Sequence, residues 1–363
     1  MSKRFWLSAT VLTCIFLIHV GCSRESDRMT VVSEIPVSDS DSTIYINTDG
    51  ESLFTGRYQM ASLIREGYGI VENGGRYGFI DSSGEFILSN VYKNVSIFKD
   101  GVAWVVRKGD APGMINRKGE LKFTLRDAVE VEIFYEELAR FSVKEGRRLR
   151  YGFVSKSGKK IVPPIYYGAT RFSEEVASVE DMNGKWGYID KTGEVIIPAL
   201  YDEASSFREG LAVVRTGDRY GVIDKKGQYK VKPVYENLVP DGEIYMASEK
   251  GVWGWCDNSG KWIIKPEYKS IYPFYVSELA PVMIDGRWGY VNRAGKVQIK
   301  RQFDEAYPFV GELALVKIGV YYGFINKEGR YEINPQYTWV SPDYISNAIY
   351  GDPYFKSVLS DIK

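Results

Sequence analysis

Histidine is almost absent. The chain has one, His19, in a segment that reads as a removable leader. A body without imidazole has no Ser-His or Cys-His nucleophile and no histidine ligand for zinc. Cysteine is nearly as scarce. Cys14, Cys22 and Cys256 have neither metal nor redox spacing and imply no disulfide framework. Cys256 stands where other repeats carry Ile189, Ile223, Val291 and Ile325, so it reads as a small apolar core residue. An excess of one charge is missing too. With 47 basic and 47 acidic side chains, nothing electrostatic points to nucleic acid as a partner. No cofactor or metal is expected.

Long apolar runs are missing except at residues 5–20, which follow Lys3 and Arg4. That run is too short to span a bilayer comfortably and fits the apolar region of a signal peptide. It ends in His19-Val20-Gly21-Cys22, which resembles a bacterial lipobox. The resemblance implies cleavage before Cys22 and a lipid on that cysteine, although His19 departs from the leucine the pattern favours. Ser23, not aspartate, follows; in a diderm using the aspartate retention signal this favours the outer membrane. The Ser/Asp-rich residues that come next read as a flexible tether.

What the chain has in abundance is repetition. Eight pairs end in glycine: Tyr77-Gly78, Pro112-Gly113, Tyr151-Gly152, Trp186-Gly187, Tyr220-Gly221, Trp253-Gly254, Trp288-Gly289 and Tyr322-Gly323. A second glycine follows each pair after six residues, from Gly84 to Gly329, while the repeat length drifts between 33 and 39. A fixed inner register with a loose outer one marks a small folding unit joined by adjustable loops.

Within a unit the pattern predicts three short strands. In Phe207 to Tyr235 these are a β-rich run at 211–215, a second at 220–224 and a third at 228–232, stopped by Pro233. Asp190-Lys191-Thr192-Gly193 and its equivalents predict a tight hairpin. The Asp or Asn side chain opens the turn and the glycine takes the left-handed position. Lysines at Lys191, Lys225, Lys226 and Lys327 stand where a calcium loop would need carboxylates. Trp186 and Tyr188 should face one way, and Gly187 and Ile189 the other. Apolar residues on both faces mean both faces are covered, with the glycine letting a neighbouring sheet's ring approach. Tyr-Asp and Tyr-Glu pairs such as Tyr201-Asp202 and Tyr235-Glu236 read as repeated structural corners.

These residues resemble the WG repeat family of bacterial proteins. The chain carries Phe207-Arg208-Glu209-Gly210-Leu211-Ala212, then Gly184-Lys185-Trp186-Gly187-Tyr188-Ile189-Asp190-Lys191-Thr192-Gly193, followed by Ile196-Ile197-Pro198 and Tyr201-Asp202. The resemblance covers about residues 52–340. It weakens in the second repeat, at Pro112 and Asp127, where residues 120–149 also carry extra length. The family supplies no common activity that transfers residue by residue.

The expectation is an all-β chain of eight three-stranded repeats forming a β-propeller, with an open β-solenoid as the alternative. An N-terminal strand pairing into the last blade could close the ring. The expected divisions are a signal peptide at 1–21, a lipidated tether at 22–50, the repeat body at 51–345 and a tail at 346–363. The glycine-bearing pairs are structural core. The expected role is a lipid-anchored, non-catalytic binding or scaffold module on the cell envelope, with a protein or glycan partner. A purely structural envelope component is one alternative. A carboxylate hydrolase is another, with Glu174, Glu175, Asp181, Asp241 and Glu243 as candidates by composition only.

Overall fold

Short apolar runs punctuated by turn glycines fold the chain into strands almost throughout. The computed structural model describes residues 35–38, 42–47, 51–54, 56–274, 277–340 and 344–345. Nine small antiparallel sheets stand in a ring, a β-propeller. Eight blades have four strands each in chain order. They span 60–92, 94–124, 128–166, 168–201, 203–235, 237–268, 270–303 and 305–337. The ninth blade is mixed. Its strand Ile35–Ser38 pairs with Thr43–Ile46 on one side and with Trp339–Val340 on the other, placing Val37 opposite Val340. The ring is closed by main-chain pairing between the two ends of the described chain, which removes the solenoid alternative.

Several expectations change. Each regular blade has four strands, not three. The additional one comes first and is often two residues long, as in Glu203–Ala204. A pair of residues has no period to read. The blades number nine, not eight. The stretch 22–50, expected as a tether, contains two strands of the ninth blade, so the folded body begins by Ile35 and not at 51. Those four-residue strands are held by partners at the far end of the chain, which local composition cannot register. The second repeat keeps four strands, with Gly113 paired to Val105 and Thr124, but its fourth strand, Leu121–Thr124, has four residues where those of the other regular blades have seven. The extra length beside it goes into a long hairpin of blade three. Leu138–Glu145 and Arg148–Ser155 have eight residues each, where the matching strands of blade four have five. Cys14, Cys22, the leader and the 346–363 tail lie outside the described residues.

The core lies between blades. Trp186 and Tyr188 of blade four pack with Phe207, Ala212 and Val214 of blade five. On the other face Ile189 packs with Phe153 and Val162 of blade three. Both faces are therefore covered, as the two-sided apolar pattern requires. One ring pair recurs at these seams. The residue after the repeat glycine meets a phenylalanine that precedes the second strand of the next blade. The centroids of Tyr188 and Phe207 are 4.7 Å apart, those of Phe79 and Phe98 4.9 Å, and those of Tyr290 and Phe309 5.2 Å. Tyr344 supplies the ring facing Phe324 in the ninth blade. Each buried ring contributes roughly 2–3 kcal/mol by area, and the pairing adds about 0.5–1.5 kcal/mol. Cys256 is buried in the cluster between blades five and six, where a small apolar residue was expected.

The repeat glycine serves its own blade, not a neighbour's ring. A Cβ on Gly187 would lie 2.5 Å from the carbonyl oxygen of Ile197 and 2.7 Å from the nitrogen of Ala199. The fourth strand bulges there. Tyr188 pairs with Ile197 and Trp186 with Tyr201, so four residues pass over two. The bulged backbone lies on the face of the third strand, where only a hydrogen leaves room. Blade two is looser, since the nearest atom to a Cβ on Gly113 is the flexible side chain of Leu121.

Candidate functional site

The meander puts two kinds of hairpin at opposite rims of the ring. At one rim lie the turns between second and third strands, together with the corners that lead to the next blade. Asp202, at such a corner, accepts from Lys185 Nζ at 2.6 Å and from the backbone N–H of Gly217 in the next blade at 2.8 Å. Asp304 repeats this with Arg287 at 2.6 Å and Gly319 at 2.7 Å. Glu236 accepts from Gly251 at 3.0 Å. The hydrogen bond from Lys185 holds the Asp202 carboxyl below the usual carboxylate range. The basic residue before tryptophan and the acid after tyrosine are thus a clamp between successive blades, as the corner reading expected.

The other rim carries the turns before the second strand and the Asp/Asn-opened hairpins. In the hairpin of blade four, Asp190 Oδ1 accepts from the N–H of Thr192 and of Glu194, both at 2.9 Å, and Gly193 has φ +91°. In blades one to five the turn before the second strand has two left-handed central residues, in blade five Glu209 at φ 52° and Gly210 at 75°, whereas in blades six and eight only the first, Gly242 and Gly311, is left-handed. Glu174 at 55° and Glu175 at 74° form the same two-residue turn without glycine. A left-handed non-glycine residue costs about 1–2 kcal/mol. Carboxylates offset that cost from blade to blade. Glu136 accepts from the N–H of Glu174 at 2.6 Å and of Glu175 at 2.9 Å, and Glu174 from Gly210 at 2.9 Å. Basic residues of the neighbouring hairpins lie among these acids, with Lys191 Nζ at 3.5 Å from Glu136 and 2.7 Å from Glu175. This belt was not anticipated from the sequence. Its signal was an acid in Phe-x-Glu-Gly and a base after the turn Asp, but only the ring brings the two together.

The five candidate carboxylates do not form one site. Glu174 and Glu175 belong to the belt. Asp181 sits at the other end of the five-residue strand Val176–Glu180, about 17 Å away. There it accepts from the N–H of Asn183 at 2.8 Å and Lys185 at 3.0 Å. Asp241 is buried and accepts from Trp255 Nε1 at 2.8 Å and from the N–H of Phe274 at 2.9 Å, joining blades six and seven. Glu243 lines a small cleft with Glu209 and none of the other four. Among the described residues no group of three or more His, Cys, Asp or Glu is placed to hold a metal ion, and no helix is long and apolar enough to cross a membrane.

The hairpin aspartates make stability depend on pH. Hydrogen bonds from Ser83, Thr192 and Ser259 lower the carboxyls of Asp81, Asp190 and Asp257, and the Gln228 N–H lowers that of Asp224. A carboxyl whose folded value is depressed stabilises the fold above its unfolded value and loses that contribution as pH falls. The thermal midpoint should therefore drop as pH falls below about 4. Asn292 and Asn326 open the same turn without a titrating group. Replacing the four aspartates by Asn should keep the fold and flatten the acid limb. An unchanged slope in melts between pH 5 and pH 3 would overturn this.

A family model described as WG containing repeat matches residues 45–77, 77–109, 151–186, 186–220, 220–241, 253–288, 288–319 and 322–346. It passes over 110–150 and 242–252, which hold the Pro112 variant with the long hairpin and the first hairpin of blade six. No curated protein matches the chain. Among solved structures, one described as the eukaryotic initiation factor aligns with TM-score 0.58 at 11% identity, covering 85% of this chain and 98% of that one. BamB from Moraxella catarrhalis aligns with TM-score 0.43 at 12% identity, over 72% and 89%. Citrobacter koseri AztD gives 0.44 at 12% identity, over 85% and 96%. At such identities the likeness is one of fold.

Proposed function

Since the chain belongs to the family of WG-repeat proteins, we propose that it is a non-catalytic binding or scaffold module, held on the bacterial cell envelope by a lipid on Cys22. The observation that carries this reading is the use to which the repeat residues are put. The aromatic-glycine pairs pack the seams or admit the bulged strand, the corner acids clamp blades, and the turn acids hold the next turn. What varies from blade to blade is the exposed surface, and recognition resides there.

One part of that surface favours a protein partner. Ile165, Leu200 and Val234 occupy the same place on the outer strands of blades three, four and five, each about 60% exposed. Glu267, Gln302 and Gln336 stand there in blades six to eight. Val91 holds the place in blade one and Arg126 in blade two, so blades three to five are the one stretch where three neighbours in a row are apolar, the kind of patch a protein contact covers. The test is crosslinking in intact cells with native chain and with Leu200→Asp. A partner recovered with the first and at least several-fold depleted with the second supports the reading. No partner in either counts against it. Labelling with a palmitate analogue, lost in Cys22→Ser, tests the anchor separately.

A further inference from the structure

We propose that the apolar arc of blades three to five and the basic rim beside it form one docking surface, which takes a protein segment carrying acidic side chains next to apolar ones. The inference rests on the reading of the chain as a protein-binding module and adds the chemistry of the partner.

The chain has 47 basic and 47 acidic side chains, but the rim that carries the corners does not share them evenly. In blades four, five and seven the base before the repeat aromatic is held by its corner acid. Lys185 meets Asp202 at 2.6 Å, Arg219 meets Glu236 at 3.7 Å and Arg287 meets Asp304 at 2.6 Å. Around blades two and three the balance fails. Lys93 stands at the first corner where Asp202 stands at its own. The hairpin of blade two carries Arg107 and Lys108, and that of blade three Lys144, Arg147 and Arg148; all six are exposed. Among the described residues none of the six forms an ion pair. The acids beside them are taken, Glu145 by Arg150 at 2.6 Å and Asp127 by Lys160, which leaves Asp110 alone on the two hairpins. Lys269 also replaces a corner acid, but Glu249 and Asp285 stand on the hairpins to either side of it.

The basic rim runs into the apolar arc. Ile165, Leu200 and Val234 each precede the last residue of an outer strand, and that end of the strand lies at this same rim. The exposed Arg126 holds their place in blade two, so the row changes from cation to hydrocarbon between neighbouring blades. At the junction Tyr167 replaces the corner acid. The guanidinium of Arg150 lies 3.5 Å from its ring centroid and that of Arg148 5.1 Å. Stacking fixes a guanidinium without neutralising it, and Arg148 is thereby held ready for a carboxylate. A partner that covers Ile165 with apolar side chains meets these cations on one flank, and acids there would match them.

Two observations favour this occupant over an anionic membrane. The first is the apolar arc itself, which a headgroup layer would not match. The second is the direction of the ninth blade. Ser38 pairs with Trp339 at the corner rim, so the strand Ile35–Ser38 begins at the opposite rim. A lipid on Cys22 would hold that opposite rim towards the bilayer and turn the basic rim away from it.

The test places a photo-crosslinking residue in the full chain in intact cells, once in place of Arg147 and once in place of Leu200. Both positions should capture the same protein, and the segment captured from position 147 should be rich in Asp and Glu. With that protein purified, Arg147→Glu combined with Arg148→Glu should slow association about five-fold or more at low salt. The difference should shrink below about two-fold in roughly 0.5 M salt, because steering by rim charges is screened. Leu200→Asp should instead speed dissociation several-fold at either salt. Both arginines are exposed, so the charge-reversed chain should keep the native thermal midpoint. Capture from position 200 alone, or an unchanged association rate in the double variant, overturns the proposal and leaves the broader reading standing. Capture of nucleic acid, glycan or lipid from position 147 in place of protein overturns it as well. Capture from neither position sinks both.

Discussion

Removal of residues 1–47 is expected to abolish cooperative folding of what remains. The deletion takes out two strands of the ninth blade and with them Ile35, Val37, Tyr45 and Ile46, each 0–1% exposed. Ile35, Val37 and Ile46 fill the seam towards blade eight, and Tyr45 fills the seam towards blade one. At about 1.5–3 kcal/mol per buried side chain, the loss is roughly 6–12 kcal/mol. That is the size of a whole domain's stability, about 5–15 kcal/mol. The wound is also two-sided, since blades one and eight each lose a packed face. The truncated chain should show no sharp thermal transition and should self-associate. A synthetic peptide of residues 35–47 added in trans should restore a transition. A truncated chain that melts as sharply as the native one would mean the ends do not close the ring.

The second large effect is expected from Gly187→Ala. The added methyl would meet backbone, the carbonyl oxygen of Ile197 at 2.5 Å, and not a side chain that can turn aside. Relief requires the fourth strand to lift, which breaks its pairing with the third strand and uncovers Ile197 and Tyr201. Overpacking costs about 1–3 kcal/mol where side chains can adjust, and here it should reach or exceed the top of that range. Gly210→Ala is the control. Its methyl would meet nothing within 4 Å, but φ is +75°, so its cost should be the backbone strain alone, about 1–2 kcal/mol. Chemical unfolding of both variants gives the comparison. If Gly187→Ala loses no more than Gly210→Ala, the bulged strand does not demand the glycine.

Much of this fold was legible because local chemistry repeats. The constant spacing between Gly187 and Gly193 reports a strand and a hairpin that close within ten residues. The two-sided apolar strand at Trp186–Asp190 reports that neighbours cover both faces. What was illegible depends on partners far away in sequence. Glu203–Ala204 is too short to show a period. Thr43–Ile46 lies in polar surroundings and becomes a strand only because the ring needs a ninth blade. The role of Gly187 was read as room for a ring; the bulge that occupies it follows from pairing four residues against two, which no residue type signals. At the candidate site the corner acids were recognised as structural because Tyr201-Asp202 recurs. The carboxylate belt escaped notice because Glu136 and Lys191 stand far apart in sequence and meet only once the ring is formed.

Val37 lies opposite Val340, and that pairing sets a timetable. The segment that shuts the circle is made about 300 residues before the strand it pairs with and cannot be used until the blades between have emerged. At about 5–20 residues per second of synthesis, it waits on the order of 15–60 s. Until then every half-built arc presents two sticky ends. Whatever keeps the nascent chain from docking onto a second copy must act throughout that interval, and the most vulnerable moment comes just before the last turn of the wheel.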